Sequence, residues 1–171
     1  MKTLFLLRHA KSEWSNKSVP DHDRALAPRG ARAAAAMGQY LTHEGIEPHL
    51  AICSTAVRAR QTWDVVSANW PLAPTVDYEK GLYLAGASGL LKRLKSFDAD
   101  LSSIMIIGHN PDIEKLILGL ARKGRGDALS RAADKVPTCA FAEIHLPVDN
   151  WEDIEPGQAV LERFTAPKDL V

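Results

Sequence analysis

Ile104 to Ile107, within SSIMIIGHNP, is apolar at every position. Side chains of a strand point alternately to opposite faces, so such a run needs cover on both sides. A central strand of a parallel sheet, with helices above and below, meets that need. Leu4 to Leu7 is a second run of this kind, and a third strand is expected at Leu50 to Cys53. Helical patterns separate these runs. Pro28 stands at the first helical position of RGARAAAAMGQYLTHEG, with Gly45 as its stop. Ser54 is placed to cap STAVRARQTWDVVSANW, where Ala56, Ala59, Trp63 and Val66 recur at helical spacing. A helix over Ser88–Phe97 follows, and Asn110 and Pro111 suit the cap and first residue of another. Near the end, CAFAEIHLP and AVLERFTAP read as an antiparallel pair. The pattern predicts an α/β fold in three layers: a mixed, mostly parallel sheet with helices on both faces, in one domain over residues 1–171.

Charge and cysteine usage narrow the classes of partner. Lys plus Arg equal Asp plus Glu at 21 each, so no global field favours nucleic acid or an anionic membrane. No apolar stretch approaches the roughly 20 residues that a membrane span needs. MKTLFLL opens like a signal peptide, but it stops at Arg8 and no small-residue cleavage site follows. A cytoplasmic protein is expected. Cys53 and Cys139 belong to no CxxC pair and read as small apolar fillers.

Three strands end in polar residues at the same end. The first delivers Arg8 and His9, the second Ser54 and, one helical turn on, Arg58, the third Gly108, His109 and Asn110. In open α/β sheets the carboxyl ends of strands form the ligand crevice, and the following helices aim their amino ends at it. Those ends offer unpaired N–H groups and partial positive charge. Two arginines, two histidines and two helix starts converging there describe a receptor for a dianionic phosphoryl group.

LLRHAKS, CSTAVRARQT and IIGHNP together resemble the histidine phosphatase superfamily in its phosphoglycerate-mutase-like branch. Within that branch they are most similar to the short SixA-type phosphohistidine phosphatases. The resemblance extends through DHDRALAPRG, LYLAG and PGQAVLERFTAPKDL, covering nearly the whole chain. There are departures. Ala10 stands where the wider superfamily has Gly, as is familiar in the SixA-like group. Ser15 stands where the mutase branch places a phosphate-binding Asn, and reads either as a substrate contact or as a solvated loop serine. Ala27 replaces a capping Thr or Ser, which forfeits about 1 kcal/mol of helix stability.

The resemblance implies that His9 is the nucleophile and carries the phosphoryl group, with Arg8, Arg58 and His109 as its clamps. It implies no metal and no cofactor. By position Glu79 is the candidate acid for the leaving group, with Asp77 nearby. Arg24 and the ARKGRG stretch (Arg122, Lys123, Arg125) are basic residues suited to an acidic or phosphorylated partner, although a solvated helix end explains the stretch equally well. GHNP is also similar to a motif of dinuclear metallophosphoesterases, with Asp21, His22 and Asp23 as ligands. Those enzymes need an Asp-x-His at the first strand end, where this chain has Arg8-His9, so the acidic cluster is read as a solvated loop. The expected substrate is phosphohistidine on a protein, since the short segment from Ala10 to Ala27 leaves little material for a lid. The alternatives are a phosphatase or mutase for small phosphoesters, and a non-catalytic phosphate-binding module.

Overall fold

The computed structural model describes all 171 residues. Seven strands form one sheet: β1 (Lys2–Arg8), β2 (Leu50–Ser54), β3 (Thr75–Glu79), β4 (Ser103–Gly108), β5 (Ala121–Gly124), β6 (Phe141–Leu146) and β7 (Ala159–Thr165). Their order across the sheet is β3-β2-β4-β1-β6-β7-β5. The first four run parallel, while β6 lies antiparallel to both β1 and β7. The sheet is therefore mixed and mostly parallel, as the strand pattern predicts.

Two cores follow from the alternation of side chains. Leu4, Leu6, Ile52, Ile104 and Ile106 point to one face, against α3 (Gly86–Lys95), α4 (Asp112–Leu120) and α5 (Ala128–Asp134). Phe5, Leu7, Ala51, Cys53, Met105 and Ile107 point to the other, against α1 (Pro28–His43) and α2 (Val57–Ser67). All of β4 is buried, which explains why its sequence shows no alternation. Both cysteines are buried fillers of the second core, and burial pushes the Cys139 thiol up to about 12.

Register brings the polar strand ends level. Arg8 lies beside Gly108 across β1 and β4, and Cys53 lies beside Ile107 across β2 and β4. His9, Ser54 and His109 consequently emerge together at the carboxyl ends of the three strands.

Several local expectations are corrected. Ser54 is the last residue of β2 instead of a helix cap, although its hydroxyl accepts from the Ala56 N–H at 3.2 Å. Pro111 precedes α4 instead of opening it, and the Asn110 side chain accepts from the Glu114 N–H at 3.3 Å. The third helix starts at Gly86, two residues before Ser88, because Asp112 accepts from the Gly86 N–H at 2.9 Å and fixes its start. ARKGRG is not a helix end: its first four residues are β5, an edge strand separated from β1 by β6 and β7.

The loop after His9 is pressed against α1. A Cβ built on Gly30 would lie 2.1 Å from the Lys11 carbonyl oxygen. Gly119 in α4, by contrast, has open space around it. Ala is the better helix former at both positions, so the two substitutions separate propensity from packing. Gly119→Ala is expected to raise stability in urea unfolding by up to about 1 kcal/mol. Gly30→Ala is expected to lower it by about 1–3 kcal/mol, because backbone must move to admit the methyl group.

Candidate active site

The backbone of His9 is fixed on both sides. Its N–H donates to the Gly108 carbonyl at 3.0 Å, and its carbonyl accepts from the Cys139 N–H at 3.0 Å. The Ala10 N–H donates to the Thr62 hydroxyl at 2.9 Å, which donates in turn to the Arg58 carbonyl at 2.7 Å. Thr62 thus ties the strand end carrying His9 to the helix carrying Arg58.

The ring of His9 has one assignable tautomer. Its Nδ1 lies 2.8 Å from the Ala10 carbonyl, an acceptor only, so Nδ1 carries the proton and Nε2 keeps its lone pair. The guanidinium Nε of Arg58 reaches that lone pair at 3.4 Å. Burial pushes the His9 pKa down to about 3. The Ala10 hydrogen bond opposes this shift, while His109, Arg58 and Arg8 reinforce it. The ring is neutral at pH 7.

His109 faces it, with ring centroids 5.2 Å apart. Nη2 of Arg58 donates toward its Nδ1 at 3.5 Å, so its Nε2–H donates to the Ser54 hydroxyl at 2.8 Å. Burial, then Arg58, bring its pKa down to about 4, with Asp21 opposing. Arg8 lies at the same strand end. Its Nη1 donates to the Val136 carbonyl at 2.9 Å, whereas its buried Nε has no partner. A buried donor without an acceptor costs free energy unless a ligand supplies one.

Asp21 organises the rim, and the sequence had suggested otherwise. Half of its side chain is exposed, but residues Asp21–Asp23 form a 3-10 turn and its oxygens are bonded across the site. Its backbone carbonyl accepts from Arg58 Nη1 at 2.7 Å, and its Oδ2 accepts from Arg58 Nη2 at 3.1 Å and from the Tyr83 hydroxyl at 2.6 Å. Oδ1 accepts from Arg24 at 2.8 and 3.2 Å. The Tyr83 hydrogen bond, followed by those of Arg24 and Arg58, holds this carboxyl well below the usual carboxylate range. The Tyr83 ring packs edge-on against both His22 and His109, at 4.9 and 5.5 Å between centroids. No group of three His, Cys, Asp or Glu side chains converges in the geometry of a metal site.

The structure therefore brings Arg8, His9, Arg58 and His109 together, and adds Ser54, Thr62, Asp21 and Tyr83. It does not bring in the other expected residues. Glu79 gives both carboxylate oxygens to Arg93 at 2.8 Å each, beside a separate cleft with Leu82 and Ser96. Ser15 is exposed, and its N–H donates to Glu13 at 3.1 Å. Arg24 is buried, bonded to Asp21 and Ser12, and stacked at 3.5 Å over Trp14. It supports the rim instead of reaching into the crevice. Arg122 and Lys123 lie on β5, and Arg125 just beyond it pairs with Glu162, away from this end of the sheet. The spacing of Asp21 and Arg24, three residues apart with opposite charge, was the available signal for Asp21.

Known proteins share this fold. The profile of the histidine phosphatase superfamily (branch 1) matches residues 4–82. An uncharacterized protein of Mycobacterium tuberculosis is 33% identical over 164 residues, covering 95% of this chain and all of its own length. A solved structure described as a candidate phosphohistidine phosphatase SixA, from Nakamurella multipartitia, has 31% identity and a TM-score of 0.79, covering 97% of this chain and 96% of its own. Another, described in the same terms and from Agrobacterium tumefaciens, has 26% identity and a TM-score of 0.80, covering 97% and 99%. With Arg8, His9, Arg58 and His109 gathered at the strand ends on this fold, the chain belongs to the histidine phosphatase superfamily, branch 1, and is a phosphatase.

Proposed function

We propose that this phosphatase removes phosphate from phosphohistidine on a protein, through a phosphoryl group carried on Nε2 of His9. One observation carries the mechanism: the Nδ1–H of His9 is held by the Ala10 carbonyl, so the neutral ring presents its Nε2 lone pair to the crevice beside Arg58. A protonated or oppositely tautomerised ring has no nucleophile to offer there.

The transferred phosphoryl group spreads charge over its three non-bridging oxygens, so fixed cationic donors and in-line placement supply most of the catalysis. Arg58 is suited to this. Its contacts to the two imidazoles are long, at 3.4 and 3.5 Å, and are readily exchanged for charge-assisted bonds to phosphoryl oxygens. The unpartnered Nε of Arg8 is a donor in waiting for another oxygen. A bound dianion favours the imidazolium form of His109, which then donates as well. In the first step the Nε2–P bond forms as the substrate's N–P bond breaks, and the departing imidazole takes up a proton. Water then attacks phosphorus, releasing phosphate and restoring the lone pair of His9.

Two features support phosphohistidine as substrate. The likeness to the SixA structures is one. The other is that no carboxyl acid stands at the ring of His9, since Asp21 is held ionised and Glu79 is bound to Arg93. An imidazole leaving group, protonated from solvent, needs a dedicated acid less than an alkoxide does. The segment from Ala10 to Ala27 is pinned at its base by the Ser12–Leu26 bridge and by the bond from the Ala27 N–H to the Lys11 carbonyl, and its Asp21 is bonded to Arg58 and Tyr83, so it is too short and too firmly tied to fold down over a small metabolite.

Incubation with phosphoimidazole and an alkaline quench should add one phosphoryl group to the intact mass of the protein, and His9→Ala should show none. Rates for a phosphohistidine-bearing protein should exceed those for sugar and glycerate phosphates. A single ester hydrolysed faster would move the substrate to small phosphoesters.

Replacing Asp21 by Asn leaves its backbone carbonyl on Arg58 but removes the charge that holds the guanidinium. A loss of about 10- to 100-fold in kcat/KM is expected, with the fold retained by circular dichroism.

Both buried histidines have folded-state pKa values below the unfolded value of 6.5, at about 3 and about 4. Below pH 6.5 the unfolded chain therefore binds more protons, and stability falls as the pH drops toward those values. Between pH 7 and pH 5 the loss is about 2 kcal/mol per histidine. Urea midpoints for His9→Gln should show a shallower decline over that range.

A further inference from the structure

Beside the crevice runs a cleft of about 520 Å³, with Lys11, Arg29 and Arg32 on one wall and Thr138 and Lys168 on the other. No Asp or Glu side chain lines it. None of these four cations takes part in an ion pair, although Arg24, Arg58, Arg93, Arg125, Arg131 and Arg163 all do. The nearest acid in sequence, Asp169, turns its carboxylate to Arg131 and to the Ala166 N–H. In a chain whose charges balance at 21 each, this concentration is local.

The placement of the arginines is unfavourable for the protein alone. Arg29 and Arg32 stand at the start of α1, whose first turn has no acidic residue, so they face the positive end of their own helix dipole. An anion in the cleft relieves that repulsion. The floor is not polar: Ala33, Ala36, Pro137 and Leu170 line it. A nucleic-acid backbone has no use for such a floor, whereas a polypeptide with acidic and apolar side chains uses both surfaces.

The cleft shares its walls with the site. Lys11 lies two residues after His9, and its backbone is packed on Gly30 of α1. On the other side, Pro137 and Thr138 lie between Val136, which holds Arg8, and Cys139, which holds the His9 carbonyl. We infer that this cleft seats an acidic segment of the protein whose phosphohistidine enters the crevice. This partner class rests on the function proposed above.

The test uses a glutamate-rich peptide bearing one phosphohistidine, with phosphoimidazole as the small substrate. For the double variant Arg29→Glu/Arg32→Glu, KM for the peptide should rise about tenfold, with kcat/KM for phosphoimidazole unchanged and the difference shrinking as salt is added. Lys168→Glu, on the opposite wall, should act in the same direction and keep the wild-type urea midpoint, whereas Arg29→Glu/Arg32→Glu should not lower it, since both new charges suit the helix dipole. In parallel, anisotropy of the labelled, unphosphorylated peptide measures binding without catalysis. Weaker binding to the variants upholds the cleft even if neither substrate is turned over, an outcome that would remove the phosphatase reading alone. Equal binding to wild type and variants overturns the inference, as does tighter binding of an oligonucleotide of equal charge.

Discussion

Arg58 places a buried cation between two imidazoles, and the site is arranged around making that tolerable. A desolvated guanidinium is costly unless its protons find acceptors. The Asp21 carbonyl and carboxylate accept from both terminal nitrogens, at 2.7 and 3.1 Å, while the histidines receive only long contacts. The division matters. Firm bonds on the outer side fix the guanidinium, and loose ones on the inner side leave it available. Burial lowers the pKa of both rings, and the same cation adds to the effect.

Asp21 discharges a second duty through Arg24 and Tyr83. Arg24 ties the turn at Asp21 to Ser12 in the loop after His9, and Tyr83 ties it to the segment between β3 and α3. The loop between β1 and α1, the segment between β3 and α3 and the start of α2 are thereby joined by one carboxylate. The Tyr83 hydrogen bond and the two guanidinium groups together keep it ionised.

The parts of this arrangement that could be read from sequence are those set by strand ends. Arg8, His9, Arg58 and His109 follow apolar runs directly or lie one helical turn beyond, so their convergence depends only on the strands being parallel and in register. The loop residues are different. Asp21 meets Arg58 and Tyr83 across separations of 37 and 62 residues, and no local pattern encodes either meeting. Glu79 fails as an acid for the converse reason: a partner 14 residues on, Arg93 of α3, captures its carboxylate once helix and strand are packed. Strand β5 escaped notice because ARKG has no apolar alternation, being an edge strand with two exposed cations.

Trp14 and Arg24 have an optical consequence. Trp63, Trp70 and Trp151 are buried, whereas Trp14 is 61% exposed with a guanidinium 3.5 Å above its ring. Its exposure sets its emission to the red of the three buried indoles, and the guanidinium over its ring makes that emission depend on where Arg24 lies. Because that guanidinium is also bonded to Asp21, any event that loosens the carboxylate's hold is transmitted to the indole. The rim of the crevice carries its own indicator, sensitive to occupancy without a label.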